Sequence, residues 1–123
     1  MLGCMALGSR DRLMAMPISH AFDITHVARR LFEGNGGYEI VHSSPGLELG
    51  VYVLVAPEPD RQQPHECDEV YVVLEGRGTL EVEGEEFSVQ EGGAIYVKAG
   101  AEHRFTGYEG LSVFVIFDKS QTG

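Results

Sequence analysis

Between Gln63 and Val73 the chain reads Gln-Pro-His-Glu-Cys-Asp-Glu-Val-Tyr-Val-Val. Successive side chains of an extended segment point to opposite faces, so Gln63, His65, Cys67, Glu69, Tyr71 and Val73 share one side if it is a strand. His65 and Glu69 are then close enough for an imidazole nitrogen and a carboxylate oxygen to bend toward one ion. A third ligand must come from elsewhere, and His103 is the natural supplier, because it opens a later strand after the turn Lys98-Ala99-Gly100-Ala101-Glu102. Two imidazoles and one carboxylate form a facial set that leaves positions open on a divalent ion such as Fe(II). Mn(II), Ni(II) and Zn(II) are accepted by the same ligand types.

These residues need strands to hold them. Asp23 to Phe32 carries apolar residues at Ile24, Val27, Ala28 and Leu31, a helical spacing, with Asp23 placed to cap the first turn. Glu33-Gly34-Asn35-Gly36-Gly37 breaks that pattern, and strand patterns follow near Tyr38–His42, Leu47–Val55, Asp68–Leu74, Thr79–Val82, Glu86–Val89, Ala94–Val97, His103–Thr106 and Leu111–Phe117. About eight short strands with glycine turns at even intervals predict an all-β fold, an antiparallel jelly roll or small barrel with one short N-terminal helix. Pro57, Pro59 and Pro64 make the segment ahead of His65 a loop or an irregular edge. The division expected is an extension over 1–16, a helix and turn over 17–37, the barrel over 38–117 and a tail over 118–123.

With 123 residues the chain has room for one domain. Its formal net charge of −10 repels phosphate backbones and anionic bilayers alike, so neither nucleic acid nor membrane is an expected partner. No stretch approaches the roughly 18 apolar residues of a membrane span. Leu2-Gly3-Cys4 lacks the apolar run that would make it a lipoprotein signal. Cys4 and Cys67 are the only cysteines and form no disulfide framework, which points to a reducing cytoplasm.

At its candidate ligands the sequence resembles the cupin superfamily, as a small single-domain member. In that family's first motif, Glu69 and Gly76 keep their places, His65 takes that of the second histidine and Gln63 that of the first, while Pro57 replaces the opening glycine. In the second motif, Gly92, Gly100 and His103 keep theirs, with Lys98 where proline is usual and Gly107 where asparagine is usual. The resemblance spans 38–117. It implies a double-stranded β-helix barrel and a metal site with three of four usual ligands, the fourth left open; Gln63 could supply an amide oxygen. It also points to a homodimer, as do the apolar Val70, Val72 and Leu74, whose face must be covered by a sheet edge, the helix or a second subunit.

Each assignment has a plainer alternative. His65 and Glu69 could form a salt bridge on a surface strand. Cys67 could be a ligand, a redox-sensitive thiol or a small buried residue, the last being the commonest fate of a cysteine. Tyr71 and Phe105 should wall a substrate pocket with Cys67, or simply pack. His20, His26 and His42 have no partner at ligand spacing. Two functions follow. In one, a dioxygenase-like enzyme, or an isomerase or decarboxylase, acts on a small phenol, dicarbonyl or organic acid, with Glu69 as a base and Tyr71 as a hydrogen-bond donor. In the other, the barrel binds or senses a small ligand without turnover. A purely structural role is weaker, because inward histidines add little to packing.

Overall fold

The computed structural model describes residues 18–121, so the extension expected over 1–16 lies outside the described residues. Helix α1 spans Ile24–Glu33. The Asp23 side chain accepts a hydrogen bond from the His26 N–H at 3.0 Å, the expected cap, and the Gly34 N–H closes the other end on the carbonyls of Arg30 and Leu31. Val27 and Ala28 bury against Val51 and Val53, with Ile24, Leu31, Leu74 and Phe114 around them.

Seven strands follow: β1 Gly37–Ser44, β2 Leu47–Val55, β3 Asp68–Val82, β4 Glu85–Gln90, β5 Ala94–Val97, β6 His103–Thr106 and β7 Gly110–Asp118. They pair antiparallel throughout. The count is seven because the two strands expected at Asp68–Leu74 and Thr79–Val82 are one, β3, which runs straight through Gly76-Arg77-Gly78. A glycine pair reads locally as a turn, yet here it marks where one strand leaves one sheet and joins another. The first half of β3 pairs β7 and β5, and the second half pairs β4 and β6. The register shift lies between Val73 and Glu75, and Gly76 follows with φ +90°. A Cβ at Gly76 would stand 2.1 Å from the Gly110 carbonyl oxygen, so the crossing requires glycine.

The sheet order β1-β2-β7-β3 curls over the second, smaller sheet and encloses an interior. Inward positions alternate along each strand: Leu54 on β2, Tyr71, Val73 and Leu80 on β3, Val97 on β5, Phe105 on β6, and Leu111, Val113, Val115 and Phe117 on β7. Each such side chain, fully buried, contributes roughly 1.5–3 kcal/mol. The helix packs on β2, β1 and β7. Of the three apolar outward residues of β3, Leu74 lies beneath α1, so the helix is part of their cover. Tyr96 and Ile40 stay exposed elsewhere on the surface.

Gly76→Ala is therefore expected to destabilise the fold by about 2–4 kcal/mol, a left-handed backbone and an overlap together. Gly84→Ala, at φ +85° with open space around its Cβ position, should cost about 1–2 kcal/mol from the backbone alone. Urea denaturation of the two variants checks the difference; equal losses would remove the crossing as a special point.

Candidate metal centre

Three connections bring the ligands together. Val97 of β5 lies opposite Glu69 of β3. The chain then turns through 98–102, where the Asp68 carboxylate accepts the Ala99 N–H at 2.8 Å and the His65 carbonyl accepts the Gly100 N–H at 2.8 Å. It enters β6 in the other sheet, opposite Val82, with the Glu83 N–H donating to the Glu102 carbonyl. His103, the first residue of β6, thus faces Glu69 across the interior although the two strands' paired residues lie far apart in register.

The result is a buried cluster. His103 Nε2 is 2.9 Å and His65 Nε2 3.9 Å from Glu69 Oε1, and one ligand atom from each residue lies within 4.8 Å of the others. Glu69 is only 2 % exposed and its Oε2 has no hydrogen-bond partner. Leaving a buried carboxylate oxygen unpaired costs on the order of 1–3 kcal/mol or more, so it wants a cation. His103 Nδ1 donates to the Ala101 carbonyl at 2.8 Å, which turns Nε2 toward Glu69, the arrangement that orients metal-bound histidines. Around ions of this size ligand atoms stand roughly 3–3.4 Å apart, given bonds of about 2.0–2.2 Å. The His103–Glu69 pair already stands near that spacing at 2.9 Å, and His65, at 3.9 Å from Glu69, would close in by about half an ångström or more to complete a divalent site.

The electrostatics agree. Burial alone lowers the His103 pKa, but the Glu69 hydrogen bond, the Ala101 carbonyl and the charges of Glu69 and Asp60 outweigh it and hold it above the ordinary imidazole value. His65 moves the other way: burial and the neighbouring His103 lower it, against the pull of Glu69 and Asp60. The two imidazoles thus differ in direction, His103 holding a proton more tightly than a free imidazole and His65 less tightly. Tyr71 keeps its proton, since burial and then the Glu69 charge raise its pKa.

Gln63, expected as the fourth donor, is exposed and does not face the cluster. Gln62 takes that place. Its Oε1 lies 3.1 Å from His65 Nε2 and accepts the Tyr71 hydroxyl at 2.9 Å, and that hydroxyl is also 3.1 Å from His103 Nε2. The alternation of buried positions holds from His65 to Val73 but fails ahead of Pro64, where the chain is not a strand and its faces cannot be counted by twos. Asp60, which the spacing gave no reason to single out, fixes this segment. It is buried, and its carboxylate accepts the Tyr52 hydroxyl at 2.6 Å, the Gln62 side-chain amide at 2.6 Å and the Phe105 N–H at 2.8 Å. An acid followed by three polar residues inside a proline-rich loop was the only available signal.

Cys67 is buried in the core and is not among the three residues of the cluster. Tyr71 and Phe105 meet edge to face at 4.9 Å within the same core. The cleft over the cluster, about 1020 Å³, is lined instead by the loop from Pro59 to Pro64, by Glu81, Glu83 and Gly84, and by Glu102, His103 and Arg104. His103 is where cleft and cluster touch. His20 and His42, which have no partner at ligand spacing in the sequence, hydrogen-bond each other at 2.8 Å near the surface.

Comparison with known proteins places these features in a group. Residues 51–117 match the family described as Cupin domain. Protein SCO3923 of Streptomyces coelicolor is 33 % identical over 103 residues, covering 83 % of this chain and 98 % of its own. Among solved structures, protein NMB1881 of Neisseria meningitidis superposes with a TM-score of 0.67 at 20 % identity, covering 80 % of this chain and 99 % of its own. An RmlC-like cupin of Methanocaldococcus jannaschii with a double-stranded β-helix fold does so with a TM-score of 0.61 at 17 % identity, over 68 % and 79 %. At such identities the superpositions show the fold alone.

Asp60→Ala should destabilise the protein by about 2–4 kcal/mol, because the Phe105 N–H, the Tyr52 hydroxyl and the Gln62 amide would lose their acceptor together. Thermal unfolding checks this, and a loss under 1 kcal/mol would show that the loop is held by other means.

Proposed function

Because the chain belongs to the cupin-domain family, we propose that it binds a divalent first-row metal, Fe, Mn, Ni or Zn, on His65, Glu69 and His103, with the Gln62 amide oxygen beside the open positions. The observation that carries this reading is the unpaired Oε2 of buried Glu69 at the convergence of two imidazoles. A metal held there supplies Lewis acidity or oxygen chemistry to a coordinated anion. The chain itself does the rest. His103 forms the floor of the cleft through which a small phenol, dicarbonyl or organic acid would reach the centre. Tyr71, still protonated, would donate its hydroxyl to an oxygen of the bound acid or phenol in place of Gln62. The loop over 59–64, tied down by Asp60, keeps bulk water from the centre. The reaction this favours is dioxygenase-like.

A second reading has its own support. The His103–Glu69 pair at 2.9 Å and the Gln62 bridge satisfy all the cluster's hydrogen bonds except that of one oxygen, so the same barrel can serve as a metal-free binding or sensing module. Elemental analysis of the purified protein separates the two. Near one metal per chain is expected, with His103→Ala losing it by at least about tenfold. Oxygen uptake with catechols, flavonols and diketones then tests turnover; a metal-free protein that binds one of these tightly favours the second reading.

Metal uptake should also weaken in acid. The metal-binding form of His103 is the deprotonated one, and its raised pKa brings proton competition in above the ordinary imidazole range. Below that pKa affinity should fall about tenfold per pH unit for one displaced proton. Titration with Ni(II) between pH 5 and 8 reads the slope, and a flat profile would show that His103 is not a ligand.

A further inference from the structure

Gln62 sits where the loop, the cleft and the buried cluster meet, and its side-chain amide is held at both ends. Asp60 Oδ2 accepts the Gln62 Nε2–H at 2.6 Å together with the Phe105 N–H at 2.8 Å. A carboxylate only accepts, so the amide nitrogen must face Asp60 and the amide oxygen must face the cluster. That oxygen takes the Tyr71 hydroxyl at 2.9 Å and the His65 Nε2–H at 3.1 Å. Gln62 also lines the cleft beside His103.

His65 Nε2 is the ring nitrogen nearest Glu69, and its hydrogen is directed at Gln62 Oε1. An imidazole binds a metal through a bare nitrogen, so that hydrogen has to leave, and an ion taking its place on Nε2 stands against Oε1. The spacing is already that of neighbouring ligands. Gln62 Oε1 and His65 Nε2 lie 3.1 Å apart, and His103 Nε2 and Glu69 Oε1 2.9 Å, where atoms sharing one such ion stand roughly 3–3.4 Å apart. Withdrawing Gln62 instead would take one donor from Asp60, a buried acid whose oxygens are otherwise fully used.

We propose that Gln62 is a fourth ligand through Oε1, and that the ion it shares with His65, Glu69 and His103 clasps the loop over 59–64 across the cleft. Asp60 is the positioning residue, since it decides which atom of the amide is presented. This rests on the preceding reading that a metal binds at the cluster, and it adds how that site is regulated. In the metal-free chain the middle of the loop is anchored through Asp60; in the loaded chain it has a second anchor at the ion. Loop opening and metal release are then linked, so whatever opens the loop weakens the metal by the same factor.

The test uses the full chain and Ni(II) alone. Gln62→Leu, close in size and without a donor atom, should bind Ni(II) about tenfold or more weakly than the native chain. In Asp60→Asn the new amide can donate to the Gln62 oxygen, which lets Gln62 turn its nitrogen to the centre, so the loss should be of similar size. Adding Asp60→Asn to Gln62→Leu should then cost no more than about twofold further. Two readouts distinguish a ligand from a spacer. In a chain labelled with 13C at the glutamine side-chain carbonyls, Ni(II) should lower one carbonyl stretching frequency in the infrared difference spectrum, a band absent from Gln62→Leu. At saturating Ni(II), trypsin should cut after the exposed Arg61 about tenfold more slowly than in the metal-free chain, and Gln62→Leu should lose that protection. No uptake of Ni(II) by the native chain overturns both readings. Uptake without a shifted carbonyl band, a Gln62→Leu affinity within about twofold of the native chain, or equal trypsin rates with and without metal overturns this one and leaves the three-residue centre standing. Should Asp60→Asn not fold, Gln62→Leu and the carbonyl band decide.

Discussion

A carboxylate buried at 2 % exposure inside a barrel of valine, leucine and phenylalanine is the constraint around which this molecule is built. An isolated buried charge is not tolerated without pairing, so Glu69 dictates what surrounds it. His103 Nε2 meets it at 2.9 Å, His65 Nε2 stands 3.9 Å away, and the Tyr71 hydroxyl lies 3.1 Å from the same His103 nitrogen. None of these would be stable inside such a core alone. Their mutual satisfaction, short of one oxygen, is what allows the polar centre to exist in an apolar interior.

Holding that centre falls to two pieces of irregular chain. The turn over 98–102 is pinned by Asp68 and by the His65 carbonyl, so the backbone of one ligand positions the strand that carries another. The loop over 59–64 is pinned by Asp60, which reaches β2 through Tyr52 and β6 through the Phe105 N–H. Between them, Gln62 passes the geometry of Asp60 to His65 and Tyr71 through a single amide whose nitrogen faces the acid and whose oxygen faces the centre. A disturbance of the loop is therefore felt at the histidines, without any movement of the sheets.

What could be read from the residues follows the same division. Strand alternation places His65, Glu69 and Tyr71 on one face, and Leu47–Val55, Ala94–Val97 and His103–Thr106 are strands over the expected spans, because period two and glycine turns are local signals. The Asp23 cap is local too. Where the chain is irregular, periodicity has nothing to count, so the amide at the centre is Gln62 and not its neighbour. Where a feature depends on pairing, as in the change of sheet along β3, a glycine pair is indistinguishable from a turn. The complete burial of Glu48 on β2 is invisible for a related reason: it reads as the polar letter of an alternating strand, and only the register with Phe117 shows that its face is the inside.

The two faces of the large sheet divide the work. On the outer face Val27 and Ala28 of α1 cluster with Val51 and Val53 of β2, and Leu74 and Phe114 pack against that cluster, with no acid or imidazole among them. Inward positions carry Glu48, Glu69 and Tyr71 among the apolar residues, and two of their carboxylate oxygens lack partners. A sheet stabilised on one face can bear unfavourable burial on the other, since marginal stability is a sum over the whole domain. The helix, remote from every ligand, is on this view what permits the interior to be polar. The inner acids persist because the outer face carries the stability they remove.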